Sequence, residues 1–262
     1  MDGAALRKQF ESALGGALEW QARPAPEMVR TGVPEVDAAT GGLPRGGLTE
    51  IHGAASSGRT SLLLAILAEA TRREDACALV DAEDAFDPIR AAAAGVRLNR
   101  LLWVRCAHSA EHALQAADLL IQGGGFGLVA MDLGDTPPET ARRISLTSWF
   151  RLRRAVENTL TVLLALARQS NAKTCASLTL ECRPDARVRV VSFSGRGPGR
   201  LLRGIRVQVT RRKPGQAVTA AFDACAPQPL AYARMLFSAS LRLRVKEGSC
   251  LVPAPPGRER AV

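Results

Sequence analysis

Gly53-Ala-Ala-Ser-Ser-Gly58-Arg59-Thr60 matches the phosphate-binding loop pattern G-x-x-x-x-G-K-[ST] at every fixed position except the lysine, which here is Arg59. The stretch lies between a short apolar run, Leu48 to Ile51, and Ser61-Leu-Leu-Leu-Ala-Ile-Leu-Ala-Glu-Ala. It therefore has the strand, glycine-rich turn and helix that the motif requires. Backbone N–H groups of such a turn, backed by a helix N-terminus, cradle phosphate oxygens. This assigns Gly53, Ser56, Ser57, Gly58, Arg59, Thr60 and Ser61 to nucleotide contact, with Thr60 also placed to hold Mg²⁺. Arg59 keeps a positive charge, but a planar guanidinium is bulkier than an ammonium and differently aimed, so the exchange is not conservative at a tight phosphate site. Nucleotide binding is expected to survive more readily than hydrolysis. The competing reading, a glycine-rich turn that binds nothing, is opposed by the flanking strand and helix.

Outward from the loop, apolar strand-like runs alternate with helical patterns from about Thr31 to Asp223. Strands are expected at Cys77 to Asp81, Leu101 to Arg105, Leu128 to Asp132 and Thr161 to Ala167, and helices at Ser61 to Arg73, Ala110 to Ile121 and Glu139 to Glu157. This alternation predicts an α/β fold with a mainly parallel central sheet flanked by helices. Runs at Ser177 to Arg183, Arg187 to Phe193, Ile205 to Arg211 and Ala217 to Phe222 read as an antiparallel extension near the C-terminus. Three segments follow: residues 1–30, an N-terminal helix (Ala4 to Leu18) and linker; 31–225, the nucleotide-binding core; and 226–262, a C-terminal extension and flexible tail. Two acidic positions complete the site. Glu83, in Ala78-Leu-Val-Asp81-Ala-Glu83, lies just beyond a buried strand, where a carboxylate orients an attacking water. Asp132 ends the apolar run Leu128-Val-Ala-Met-Asp132, the place for a carboxylate that holds Mg²⁺. Asp81 or Asp132 alone could cap a helix or form a turn, a reading that the glycine-rich loop upstream opposes.

The 35 basic and 25 acidic residues give a net charge of +10, which favours polyanionic partners. Two basic clusters stand out: Arg142, Arg143, Arg151, Arg153 and Arg154, and Arg196 to Lys213 near a glycine-rich turn. The second lacks interleaved aromatics, and both fit DNA binding through phosphates, sequence-neutral and salt-sensitive, as well as an acidic protein partner or a solvated face. On the first cluster's helix, Ile144, Leu146, Trp149, Phe150 and Leu152 read as core-facing. The six cysteines show no C-x-x-C spacing and read as reduced core residues, and the three histidines have no metal-ligand spacing. With no apolar leader and no membrane-length apolar run, a soluble cytoplasmic protein with no membrane association is expected.

Thr31-Gly-Val-Pro-Glu-Val-Asp37, Gly41-Gly-Leu-Pro-Arg-Gly46, the phosphate loop and Val80-Asp-Ala-Glu-Asp-Ala-Phe-Asp-Pro88 together resemble the RecA recombinase family, a likeness covering most of residues 31–225. The resemblance implies that Glu83 is the catalytic glutamate, Asp132 the Walker B aspartate, and Gln169 the residue that senses the γ-phosphate. It places Asp87 beside adenine and Arg90 where the family has a stacking aromatic. It also implies that Arg211 and Lys213 reach a neighbouring subunit's nucleotide, so that ATP with Mg²⁺ lies between protomers of a homo-oligomer. The family's two DNA loops are trimmed: Leu133-Gly-Asp-Thr-Pro-Pro138 runs almost at once into a helix, and only Ser170-Asn-Ala-Lys-Thr-Cys175 follows Gln169. Strand exchange needs those loops. Short length and trimmed loops are similar to the ImuA subgroup of the bacterial mutasome. That implies an accessory protein of damage-induced translesion synthesis, nucleoid-associated when assembled, with an ImuB-like Y-family polymerase homologue and an error-prone C-family polymerase as partners. A DNA-stimulated ATPase that remodels nucleoprotein filaments and a nucleotide-free scaffold are the alternatives.

Overall fold

The computed structural model describes residues 25–184, 193–194, 201–202, 204–213, 216–225 and 242–244. The expected N-terminal helix and most of the C-terminal segment lie outside these residues, as do Arg196, Arg200 and Arg203. A long sheet organises the chain: β3 (Gly47–His52), β4 (Cys77–Asp81), β5 (Leu101–Arg105), β6 (Leu128–Leu133), β7 (Val162–Ala167) and β8 (Leu178–Pro184) run parallel in the order β8-β3-β7-β6-β4-β5. β11 (Gly204–Lys213) and β12 (Gln216–Cys225) continue it antiparallel beyond β8, and β13 (Arg242–Arg244) adds parallel to β5. Two small antiparallel pairs stand apart, β1 (Met28–Val29) with β2 (Leu43–Pro44), and β9 (Phe193–Ser194) with β10 (Leu201–Leu202).

The central strands are mostly apolar on both faces because both are covered, with Glu50 on β3 a buried exception. On one face Ile51, Leu79, Ala130, Leu164 and Leu180 pack under α2 (Arg59–Arg72), whose Leu62, Leu63, Ile66 and Leu67 form a buried stripe. On the other, Ala78, Val80, Val129, Leu163 and Ala165 meet α4 (Ala110–Gly123) and α6 (Leu146–Val156). α1 (Pro34–Thr40), α3 (Pro88–Ala93) and α5 (Pro138–Arg142) are short, each opened by the proline whose fixed φ suits a first helical turn.

Three expectations need correction. β8 is not only a strand of the antiparallel extension: it pairs antiparallel with β11 on one side but parallel with β3 on the other, from Thr49↔Leu178 to His52↔Glu181, which makes it the edge of the parallel core. The single helix over 139–157 is two, α5 and α6, since Ser145 takes an extended conformation (ψ 150) and its Oγ caps α6 by accepting from the Ser148 N–H at 3.1 Å. Leu146 and Phe150 are not core-facing: they are 44% and 45% exposed, while Trp149 and Leu152 are buried. Cys77, Cys106, Cys175 and Cys182 are buried free thiols, as expected. No described helix is long and apolar enough to cross a membrane.

Candidate functional site

The loops after β3, β4, β6 and β7 emerge at one edge of the parallel sheet, where open α/β sheets bind ligands. The first is the glycine-rich loop. Gly58 takes φ 88, a conformation that costs a side chain dearly, and it turns the chain directly into α2. Leu62 N donates to the Gly58 carbonyl at 3.0 Å, so the amides of Arg59, Thr60 and Ser61 are those a helix leaves without intrahelical acceptors. Ser57 is buried, and its Oγ has no hydrogen-bond partner. Thr60 is exposed and Ser61 half-buried at the start of the helix. An anion fits this cradle on three counts: donor-rich backbone, an orphaned buried hydroxyl and the positive end of α2.

Arg59 departs from what a phosphate ligand would do. It is 6% exposed; Nη1 donates to the Gly53 carbonyl and Nη2 to the Gly134 carbonyl at 2.6 Å, with Asp135 Oδ1 at 3.6 Å from Nη2. The guanidinium thus brackets the loop after β3 to the loop after β6. Burial lowers its pKa from the ordinary arginine value, opposed by the nearby carboxylates of Asp132 and Asp135. Gly134 is the matching element: a Cβ there would stand 2.8 Å from Asp132 Oδ1 and 3.1 Å from Arg59 Nε, so only glycine lets the guanidinium lie against this turn. Arg168, just past β7, also donates to the Gly134 carbonyl, at 3.2 Å.

Asp132 accepts the Gly134 N–H at 2.7 Å. Burial pushes its carboxyl from 3.8 up to about 6, with Asp81 and Asp135 adding to the rise and the Gly134 N–H and Arg59 opposing it. A carboxyl raised in the folded chain binds its proton more tightly there, so its stabilising contribution is full below about pH 3.8 and is lost as pH rises through about 6. Asp132→Asn, which keeps the Gly134 bond without the buried charge, is expected to stabilise the chain at pH 7 by about 1–2 kcal/mol. Thermal melts from pH 4 to 7 check this: the difference from the native chain should vanish toward pH 4. Ionised Asp132 and Thr60 are the groups that would hold a divalent cation beside a phosphate. No cluster of three or more His, Cys, Asp or Glu residues fit for a metal occurs among the described residues.

Glu83 is held from two sides: Thr136 Oγ1 donates to Oε1 at 2.9 Å, and His108 Nδ1 lies 3.0 Å from Oε2. Its turn is fixed by Asp81, which is buried and accepts from the Ala85 and Phe86 N–H groups and from Trp103 Nε1 at 3.0–3.1 Å. Gln169 is exposed and accepts from Arg142. It lines a cavity of about 560 Å³ with Gly53, Ala54, Arg168 and Arg183. The turn after Gln169 is anchored by Glu50, fully buried on β3, whose carboxylate accepts from Ser170 Oγ at 2.6 Å, from Asn171 N at 2.5 Å and from Ala172 N at 2.9 Å.

The fold therefore brings Gly53, Ser57, Arg59, Asp132, Glu83 and Gln169 to one edge, joined largely through residues 134–136. Asp87 and Arg90 belong to the first turn of α3, where Asp87 caps the helix by accepting from Ile89 N and Arg90 N, and the two side chains pair at 3.4 Å. Arg211 and Lys213 lie on β11, Arg211 opposite Leu180 and Val218 and Lys213 opposite Gln216; their side chains are outside the described residues. Sequence reasoning missed Glu50, Asp81, Gly134, Thr136 and His108 as parts of the site. A charged residue inside a buried strand was the available signal for Glu50.

A strand, glycine-rich loop and helix at the carboxyl edge of a parallel sheet, with Asp81 ending β4 and Asp132 near the end of β6, are the architecture of a P-loop α/β domain. Residues 7–136 match the model of the RecA N-terminal domain. The protein RecA of Teredinibacter turnerae is 44% identical over 119 residues, covering 45% of this chain and 34% of the relative. That of Deinococcus radiodurans is 43% identical over 108 residues, covering 40% of this chain and 30% of the relative. Over these residues the chain is similar to the N-terminal domain of RecA. The chain spans about a third of the length of these curated relatives.

Proposed function

We propose that the chain is an ATP- and Mg²⁺-binding accessory protein of damage-induced translesion DNA synthesis, of the ImuA kind, that helps assemble an error-prone polymerase complex and hydrolyses ATP weakly. The carrying observation is Arg59: the cation of the phosphate loop spends its donors on the Gly53 and Gly134 carbonyls, so it reaches a phosphate only by giving up those bonds. The short connections support an accessory role. Residues 134–137 join β6 to α5 and residues 168–177 join β7 to β8, and Glu50 pins the second of these, leaving little chain to hold spread bases. Oligomerisation, with Arg211 and Lys213 reaching a neighbour's nucleotide, and contact with an ImuB-like polymerase homologue and a C-family polymerase belong to this reading. So does sequence-neutral DNA binding through the basic clusters. The same Arg59 bonds favour one competing reading, a scaffold in which arginine fills the phosphate site for good.

The deciding experiment titrates the purified chain with fluorescent ATP and Mg²⁺ while following phosphate release, with and without single-stranded DNA. Saturable binding with slow release that DNA does not accelerate is the expected result. Absence of binding leaves the scaffold. Brisk DNA-stimulated release, abolished by Glu83→Gln, means a filament-remodelling ATPase instead.

A further inference from the structure

β4 and β5 are parallel neighbours, so the turn carrying Glu83 and the loop after β5 emerge side by side. In that loop two consecutive residues without glycine's freedom, Ala107 (φ 50) and His108 (φ 61), take the left-handed conformation. Each such residue costs on the order of 1 kcal/mol and persists only where the surroundings hold it. The loop is held at both ends: Cys106 N donates to the Asp81 carbonyl at 3.0 Å, and Ser109, whose N–H bonds back to the Cys106 carbonyl at 3.1 Å, caps α4. The result of the double left-handed turn is the contact of the His108 imidazole with Glu83 Oε2, while Thr136, itself buried, takes Oε1. Both carboxylate oxygens are engaged by loops from opposite sides.

We propose that His108, backed by Thr136, is a positioning residue for Glu83: it fixes the plane in which that carboxylate accepts a proton from a water attacking the terminal phosphate. The proposal rests on the nucleotide reading above. A neutral imidazole must donate from Nδ1 to reach a carboxylate, which sets its tautomer and leaves Nε2 without a proton. Because Glu83 is not part of the phosphate cradle, losing its orientation should alter turnover and spare affinity.

Two measurements on the full chain test this. Long-range ¹H–¹⁵N spectra at mildly alkaline pH, with His108 assigned among the three histidines by comparison with His108→Gln, should show the Nδ1–H tautomer, and Glu83→Ala should abolish that preference. An Nε2–H tautomer indifferent to Glu83→Ala overturns the proposal whether or not ATP is turned over. In kinetics, His108→Ala should lower phosphate release about tenfold with the nucleotide Kd changed by less than about twofold. His108→Gln, whose amide can donate, should recover most of the loss. The double variant Glu83→Gln/His108→Ala should be no slower than Glu83→Gln alone, because two residues acting through one group are not additive. Native turnover in His108→Ala, or a loss that falls on Kd, overturns the proposal. If the native chain turns over no ATP, it is the hydrolysis reading that falls, and the tautomer alone decides the Glu83 contact.

Discussion

Arg59→Lys is expected to destabilise the nucleotide-free chain while raising its rate of phosphate release. The guanidinium spans two carbonyls on different loops, Gly53 and Gly134. An ammonium is a point donor that cannot bridge both, so at least one buried acceptor loses a charge-assisted bond of about 1.5–3 kcal/mol. A loss near 2 kcal/mol corresponds to a fall in Tm of about 4–8 °C for a chain of this size. With ATP and Mg²⁺ the balance reverses: a lysine freed from the Gly134 carbonyl reaches a phosphate, and hydrolysis should rise about tenfold or more, in line with the worth of one donor aimed at developing charge. Melts with and without nucleotide, paired with a phosphate-release assay, decide the matter. An unchanged Tm would show that the bracket contributes nothing to stability. Slower release than the native chain would make Arg59 the working phosphate ligand, contrary to the proposed function.

Glu50→Ala should be more damaging still. Its carboxylate, fully buried on β3, satisfies Ser170 Oγ and the N–H groups of Asn171 and Ala172. Truncation removes three bonds to a charged acceptor and leaves two backbone donors unpaired. The cost should be about 3 kcal/mol or more, a fall in Tm of about 6–12 °C. Glu50→Gln, which keeps one carbonyl oxygen but turns an NH₂ group toward donors, should fall between native and Glu50→Ala. Hydrogen exchange at residues 169–172 separates the proposed anchoring from general loss of stability. Glu50→Gln should expose these amides while those of β6 and β7 stay protected, and uniform exposure would argue against a local anchor.

Most of the parallel core was legible because β4, β5, β6 and β7 are largely apolar runs and the helices α2 and α4 carry apolar stripes, signals that need no knowledge of the partner element. The extent of β6, read as ending at Asp132, and the start of α2, read at Ser61, were within two residues of the observed limits. β8 was misassigned because an apolar run states that a strand is buried and not which neighbour buries it. The break between α5 and α6 turned on one serine whose hydroxyl prefers a cap to a helix interior.

For the site, the sequence by itself determined the phosphate loop, the arginine in its lysine position and the acidic residues ending two strands, since these reside in local patterns of residue type. It identified the segment after Asp132 only as a shortened loop. Tertiary structure made that segment the junction of the site, with Gly134 against Arg59 and Thr136 against Glu83, and it decided that Arg59 faces carbonyls, that Glu50 anchors the Gln169 turn and that His108 meets Glu83. These are contacts between residues from 25 to 122 positions apart, except the bond of Arg59 to Gly53 within the loop itself. Side-chain chemistry along the chain says which groups can donate and accept, but the parallel stacking of β3, β4, β6 and β7, set by burial of both sheet faces, chooses which of them meet.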